Sequence, residues 1–405
     1  MSKTTKFILA SLLLGSTLGL PVGGIAKPNI VHPGFRGSLL MRFGEYRGER
    51  DAFRLREPAV KPATHRPIRP DANYTIVDHP NGDPSYATRV FGINEGGVVS
   101  GQYVDKDDGA FHAFLRMPDG SYPPDLDIHI GNNDTFVGLL NDKNEVSGSY
   151  IDNDTGLEQP WVRTKDGAVI TIGVPDGAGG GIGQFINNKG VLAGDYFDGN
   201  AAFHCFTRTR KGTIAEVPDA PNAGTGADQG SQCIGINNEG DLSGGIVDSN
   251  YNATAFIRHD GSYEEFQAPK AGSGPGQGTT AAEIDDRGWV VGQVIDANDV
   301  MHGFIRDPSK NYTIVDAPDA GTSPGQGTVA VEHREAGWAI GEYIDSNGVS
   351  HGYYRKKNGK IVEFDPPGVG DAGTYFVISS NKAHQIAGAF RDENAVRHGF
   401  IRNPH

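Results

Sequence analysis

The chain has 405 residues, of which 58 are Gly and 24 are Pro, so Gly is about twice as frequent as in an average soluble protein. Hydrophobic residues contribute 37% and aromatic residues 9%, which is enough to bury a core and excludes general disorder and a coiled coil. Two Cys exclude a disulfide-dense scaffold, and no apolar run reaches the roughly 18 residues that a membrane-spanning helix needs. The composition predicts a soluble, turn-rich, all-β protein.

The amino-terminal residues have the pattern of a secretory signal peptide. Lys3 and Lys6 precede an apolar stretch over residues 7–22, and small residues surround the expected cleavage site after Ala26. This order predicts a signal peptide over residues 1–26 and export to the periplasm or the medium, with no membrane span after cleavage. The alternative is an amino-terminal anchor helix.

Residues 27–70 hold ten Lys and Arg against four acidic residues, with several Pro, and predict a flexible basic leader. The chain has a net charge of −14. Residues 1–70 contribute +8, so residues 71–405 carry a net charge of −22. An acidic body of this kind repels polyanions, so we expect no nucleic acid binding. Divalent cations or cationic partners fit this charge better, and we expect a monomer.

A repeat of 46 to 50 residues dominates the rest of the sequence, and each copy contains a Gly flanked by strand-like residues. The repeat glycines are Gly101, Gly148, Gly194, Gly244, Gly292, Gly341 and Gly388. An Asp follows each of them by four residues: Asp105, Asp152, Asp198, Asp248, Asp296, Asp345 and Asp392. An aromatic residue follows after twelve or thirteen residues, and an Arg two residues later. Chance does not produce seven such matches.

One copy contains four short apolar runs separated by turn residues, which predicts four antiparallel strands. A period near 48 residues with four strands is typical of a propeller blade, so the sequence predicts a seven-bladed β-propeller over residues 71–405. The last copy lacks its fourth strand. The segment Asn73–Pro80 matches the fourth strand of the fifth copy, Asn311–Pro318, at seven of eight positions. We therefore expect the amino-terminal strand to complete the last blade and close the ring.

The repeat resembles the bacterial extracellular HAF repeats, which are named after the His-Ala-Phe found here as His112-Ala113-Phe114 and relaxed to His-Gly-Phe at 302–304 and 398–400. The resemblance covers residues 74–405 and implies export and a repeat of this length, but no activity or cofactor. Two copies depart from the motif, with Gln159-Pro160-Trp161 and Thr254-Ala255-Phe256.

The loops that follow the repeat glycines have oxygen donors at alternate positions, as calcium requires. The candidate ligands are Asp105, Asp107, Asp152, Asp154, Asp248, Asn250, Asp296 and Asn298. The alternative is turn chemistry, because Asp, Asn and Gly are the residues that tight hairpins need. The His that follows in five copies is interpreted as a hydrogen-bond partner of the repeat Asp rather than as a metal ligand or general base.

Two further groups of residues are candidates for ligand binding. Gln229, Gln277 and Gln326 recur in long Gly-rich loops between copies, where amides could bind a polar ligand such as a sugar. Trp289 and Trp338 occupy a variable position in adjacent copies; exposed there, they would stack on a sugar ring or anchor a protein. The alternatives are ordinary surface loops and Trp packed under a neighbouring loop. His333 is also irregular, and we interpret it as a turn residue.

The chain has two Cys, Cys205 and Cys233, together with an export signal. A disulfide between the third and fourth copies is therefore allowed. The sequence contains no catalytic motif in a fitting context: Gly321-Thr322-Ser323-Pro324-Gly325 precedes no helix. The leading hypothesis is an exported binding or scaffolding module for a glycan or protein, without a catalytic residue. The alternatives are an extracellular hydrolase or lyase with its site in the propeller channel, and a purely structural surface protein.

Overall fold

The computed structural model describes residues 71–86, 88–123, 127–131, 134–175, 179–334 and 337–404. The regular elements of these residues are all strands, which confirms the predicted all-β class for this part of the chain. None of its residues belongs to a helix that could cross a membrane. The predicted signal peptide (1–26) and basic leader (27–70) lie outside the described residues.

Antiparallel pairing joins the strands in sets of four that follow the chain. The first sheet contains β2 (Thr88–Ile93), β3 (Val99–Val104), β4 (Phe111–Arg116) and β5 (Asp127–Ile128). The second contains β6 (Thr135–Leu140), β7 (Val146–Ile151), β8 (Glu158–Arg163) and β9 (Val169–Thr171). The third contains β10 (Gly181–Ile186), β11 (Leu192–Phe197), β12 (Phe203–Arg208) and β13 (Ile214–Val217).

The same order continues in the second half of the chain. The fourth sheet contains β14 (Gly230–Ile236), β15 (Leu242–Val247), β16 (Ala253–His259) and β17 (Ser262–Phe266). The fifth contains β18 (Gly278–Ile284), β19 (Val290–Ile295), β20 (Met301–Arg306) and β21 (Tyr312–Val315). The sixth contains β22 (Gly327–His333), β23 (Ala339–Ile344), β24 (Ser350–Arg355) and β25 (Ile361–Phe364). The last contains β26 (Val369–Ser380), β27 (Ile386–Asp392) and β28 (Arg397–Arg402) together with β1 (Tyr74–Val77).

The first described strand pairs with the last one. Strand β1 is antiparallel to β28, with Tyr74 opposite Arg402 and Val77 opposite Gly399. The Asn403 N–H also donates to the Asn73 carbonyl oxygen, at 2.7 Å. The segment that the sequence singles out as a displaced fourth strand thus lies in the fourth-strand position of the last sheet.

The repeat Gly and the repeat aromatic residue are partners across the second and third strands of each sheet. Gly101 is opposite Phe114, and the other copies have the same register. A Cβ on any of these glycines would collide with the ring opposite and with a carbonyl oxygen of the first strand. The rings are at most 1% exposed: Phe114, Trp161, Phe206, Phe256, Phe304, Tyr353 and Phe400. The repeat therefore encodes a packing unit in which a ring covers bare backbone.

The repeat Arg contacts rings on other strands. The guanidinium of Arg306 lies 4.6 Å from the ring centre of Phe266 in the preceding sheet, and that of Arg402 lies 5.2 Å from Phe364. Cation–π contacts of this kind connect the outer part of one sheet to the next.

A disulfide joins Cys205 on β12 to Cys233 on β14, and it connects the third and fourth sheets. The bridge that the sequence allows is therefore present. The loop that it closes spans 28 residues, for which loop-closure entropy gives a stabilisation of about 3 to 4 kcal/mol.

Candidate functional site

A cavity of about 580 Å³ lies among the first strands of the sheets. These strands contact one another in succession: β2 with β6, β6 with β10, β10 with β14, β14 with β18, β18 with β22, β22 with β26, and β26 with β2. Much of the wall is apolar, with Phe91, Leu139, Phe185, Ile234, Ile236 and Phe376. The volume lies in the range of small-molecule sites.

The first strands end in turns that are hydrogen-bonded from sheet to sheet. The side-chain amide of Asn94 donates to the Asn141 carbonyl oxygen at 3.1 Å, and Asn141 donates in the same way to Asn187 at 2.8 Å. Asn187 continues the series to Asn237, and Asn237 to Asp285. The Asn381 amide completes it at the other end by donating to the Asn94 carbonyl oxygen. In five of the sheets, one Asn thus fixes the turn of the following sheet.

The fifth and sixth sheets depart from this series at the same two positions. Asp285 and Arg334 take the place of the turn Asn, as the strand pairing shows. Two residues earlier, where the other sheets have Gly92, Leu139, Phe185, Gly235 or Ser379, these two sheets carry Glu283 and Glu332. All four side chains belong to residues that line the cavity. One sector of the cavity therefore carries two carboxyl groups, an Asp and an Arg at these positions. The lining also includes the charged residues Glu95, Asp142, Asp286, Arg287, Glu342 and Lys382.

Arg334 is the centre of this sector. Its guanidinium lies 2.5 Å from the Glu332 carboxylate and 2.8 Å from that of Glu95, and it donates to the Ser380 carbonyl oxygen. Glu332 also accepts a hydrogen bond from the Ser380 hydroxyl at 2.9 Å. Burial raises the pKa of Glu332, and the guanidinium and the hydroxyl donor oppose this shift.

Glu283 lies next to this pair and, among the described residues, forms no ion pair of its own. Its carboxyl accepts a hydrogen bond from the His333 backbone N–H at 2.6 Å. Desolvation, and next the Glu332 charge, hold the pKa of Glu283 well above its usual value. Because Glu332 has the guanidinium beside it, Glu283 is the carboxyl group of the pair that is more easily protonated.

His333 connects the sector to Trp289. It lies at the end of β22, so its interpretation as a turn residue is wrong. Its side chain is 1% exposed; Nε2 accepts from the Gly337 N–H at 3.3 Å, and Nδ1 lies 3.5 Å from the Asp285 carboxylate. The Trp289 indole is stacked on the imidazole with ring centres 4.8 Å apart. These contacts hold the imidazole in one orientation beside the cavity.

The two predicted Trp residues differ in exposure. Trp338 is 5% exposed and stacks on His384, so the expectation of an exposed indole is wrong for this residue. Trp289 is half-buried and packs in the cluster that contains Val291. Trp338 therefore presents no open ring face of the kind that sugar stacking requires, and one face of the Trp289 indole is covered by His333.

The three predicted glutamines bind their own loops. The Oε1 atoms of Gln229, Gln277 and Gln326 each accept a backbone N–H three residues earlier, at 2.9 to 3.0 Å. Their amide N–H groups donate to the hairpin loop of the following sheet: to Ser249, Asp299 and Ser346. The expectation that these amides face a polar ligand is corrected accordingly, because both ends of each amide have partners within the loops.

The predicted calcium ligands form turns. Asp248 and Asp296 each accept two backbone N–H groups on one carboxylate oxygen at 2.7 to 2.9 Å; Asp105 and Asp152 have similar bonds. Asn250 and Asn298 are the N–H donors in these turns. Asp107 supplies such an N–H to Asp105, and Asp154 is exposed. Calcium binding at these loops stays a prediction, and the turn chemistry accounts for the hydrogen bonds observed.

The repeat His has a different main partner from the one expected. In four sheets its Nε2 lies 3.6 to 3.8 Å from the repeat Asp, beyond hydrogen-bond distance. Its Nδ1 instead pairs at 2.7 to 2.9 Å with an Asp that follows the fourth strand. These pairs are His204–Asp219, His302–Asp316, His351–Asp365 and His398–Asp78.

No family model matches the chain, and no curated protein matches it in sequence. Solved structures match over most of the described residues. Virginiamycin B lyase from Staphylococcus aureus is 15% identical with a TM-score of 0.54, over 82% of this chain and 100% of that one. The BP39L lectin from Burkholderia pseudomallei is 10% identical with a TM-score of 0.50, over 80% and 99%. A prolyl endopeptidase is 12% identical with a TM-score of 0.52, and the match spans 51% of that longer chain.

The chain has a β-propeller fold. At identities of 10 to 15%, the likeness shows the fold alone, because one such fold supports lectins, lyases and peptidases.

Proposed function

We propose that the protein is an exported, monomeric, seven-bladed β-propeller that binds a small amphipathic cation in its central cavity. The closed ring is supported by the pairing of β1 with β28 and by the contact of β26 with β2. Export is supported by the amino-terminal sequence, and membership of the HAF-repeat family by the repeat motif. The observation that carries the binding proposal is the pair of carboxyl groups, Glu283 and Glu332, in a cavity with much apolar wall.

The chemistry of the cavity selects an occupant with two parts. The apolar wall favours a hydrocarbon or aromatic body, since burial gives about 25 cal/mol per Å² of apolar surface. The carboxyl sector favours a cationic head, and Glu283 can release its proton when such a head arrives. Arg334 is already neutralised by Glu332 and Glu95, so it leaves little attraction for an anion. A glycan polymer, expected at the outer loops, fits this cavity less well.

A head-group series tests the binding proposal. The melting temperature of the full chain is measured with octylamine, 1-octanol and octanoate, which share one hydrocarbon body. We expect octylamine to give a saturable increase, 1-octanol a smaller one and octanoate none. In Glu283→Gln the preference for octylamine over 1-octanol should fall at least about tenfold in affinity, equivalent to about 1.4 kcal/mol.

The matched control is Glu239→Gln, which changes an exposed turn glutamate in the fourth sheet and should leave the series unchanged. Equal shifts for the three compounds, or an unaltered preference in Glu283→Gln, would overturn the proposal.

The second candidate function is a hydrolase or lyase that uses the same cavity. The observation in its favour is Glu283, a carboxylic acid with a raised pKa in a cavity, which is the state a general acid requires. The test is hydrolysis of p-nitrophenyl esters and glycosides between pH 5 and 9. An enzyme should give a rate that decreases as Glu283 loses its proton and that Glu283→Gln abolishes; no rate above background contradicts this function.

A further inference from the structure

The first sheet also differs from the others at residues that do not line the cavity, in and near the hairpin between β3 and β4. In three other sheets, the residue after the fourth strand is the Asp that pairs with the repeat His, and in the third sheet that Asp, Asp219, follows Pro218. Cross-strand register places Ile128 of the first sheet where Val217, Val315, Phe364 and Val77 lie. The residue that follows Ile128 is His129. An imidazole thus replaces a carboxylate at this position.

Three potential ligand groups meet there as a result. Asp108 Oδ2 lies 3.1 Å from His112 Nε2 and 3.8 Å from His129 Nδ1. The two imidazoles are stacked with ring centres 3.9 Å apart, and one ligand atom from each of the three residues lies within 4.8 Å of the others. In the other four sheets the His has two carboxylates beside it, so this combination of two nitrogens and one oxygen is specific to the first sheet.

We propose that Asp108, His112 and His129 form a binding site for a transition-metal ion, for which Zn²⁺ is the best fit. A tetrahedral Zn²⁺ with ligand bonds of about 2.0 Å needs ligand atoms about 3.3 Å apart, and the observed 3.1 and 3.8 Å bracket that value. Imidazole nitrogens suit zinc, whereas calcium prefers oxygen ligands only. Three protein ligands leave the fourth position to water or to a substrate.

The surroundings hold these ligands in place. The Ala110 N–H donates to Asp108 Oδ1 at 2.8 Å, which leaves Oδ2 directed at the imidazoles. The Tyr103 hydroxyl lies 3.4 Å from His112 Nδ1, the ring atom opposite the proposed ligand atom. Such partners of a ligating imidazole fix its orientation. Partial burial raises the pKa of Asp108, but the Ala110 and His112 hydrogen bonds outweigh it and hold the pKa below its usual value.

The Asp108 side chain is 45% exposed, whereas those of His129 and His112 are 22% and 11% exposed. An ion therefore has a route from solvent past the carboxylate. This site is independent of the calcium prediction, because Asp105 and Asp107 are not among its ligands.

The test is titration of the chelator-treated full chain with Zn²⁺ by calorimetry and with Co²⁺ by visible absorption. We expect saturable binding and the intense visible bands of four-coordinate Co²⁺. His129→Asn removes one imidazole ligand without supplying a carboxylate in its place, and it should weaken Zn²⁺ binding at least about tenfold. Asp108→Asn should weaken it as well.

The matched control is His351→Asn, which removes the corresponding imidazole of the sixth sheet and should leave Zn²⁺ affinity unchanged. The proposal is overturned if the wild-type chain shows no saturable binding, or if His129→Asn, with an unchanged circular dichroism spectrum, binds Zn²⁺ as the wild type does.

Discussion

Two regions of each sheet differ in how strictly they repeat: the core between the second and third strands, and the end of the first strand. In the core, every sheet repeats the same pair of a bare glycine and a covering ring. At the strand ends, most sheets repeat an Asn, but the fifth and sixth replace it and add Glu283 and Glu332. The comparison teaches that repetition marks what each sheet needs to fold, whereas departure from the repeat marks the residues on which the binding proposal rests.

The sharpest way to break the core is to add one methyl group to a repeat glycine. In Gly244→Ala the new Cβ would meet the Gln232 carbonyl oxygen and lie 2.8 Å from the Phe256 ring. Because neither group is a flexible chain end, we expect a loss of more than about 3 kcal/mol in the free energy of unfolding by urea. Gly199→Ala, in an exposed turn with nothing within 4 Å, should cost less than about 0.5 kcal/mol. Equal effects would contradict the packing unit.

A second experiment separates stability from binding at the strand ends. Glu332→Leu leaves the Arg334 guanidinium without its nearest anion. The loss should be about 2 to 3 kcal/mol, below the range for fully buried pairs, since Arg334 is 27% exposed. The double variant Glu332→Leu/Arg334→Asn copies Leu139 and Asn141 of the second sheet and should regain most of that stability in urea unfolding. Because Glu283 is unchanged, it should keep a preference for octylamine over 1-octanol. A double variant as unstable as the single one would refute this account.

A third experiment compares Glu283 in the cavity with Asp195, a buried carboxyl group that does not line it. Burial raises the pKa of Asp195 to about 8, and its carboxyl accepts the Cys233 N–H at 2.9 Å. The folded state therefore keeps a proton that the unfolded chain loses near pH 4, so stability falls as pH rises from 4 towards 8. Between pH 6 and 7 the wild type should lose about 1 kcal/mol more than Asp195→Asn, measured by urea unfolding. The octylamine preference should be the same in both, because Asp195 lies outside the cavity lining.

The sequence was sufficient to predict the strands, the repeat unit and the partner of the displaced strand, because each is a local pattern that recurs. The strand-end site was missed for the same reason. Glu283, Glu332 and Arg334 belong to no motif. They can be recognised only because Arg334 replaces the turn Asn, and because Glu283 and Glu332 lie two residues before the turn position. This pattern appears once the copies are aligned on the turn Asn as well as on the repeat glycine. Exposure of Trp338 and the partner of each repeat His depend on contacts between sheets, which spacing within one copy does not reveal.

The pairing of β1 with β28 has a kinetic consequence. Tyr74 and Arg402 are opposite each other although 328 residues separate them, so this contact has a very high sequence separation. Until it forms, β28 presents an unpaired edge that can recruit another chain. Because such long-range pairing is slow, we expect the final step of refolding to be closure of this sheet and aggregation to compete with it.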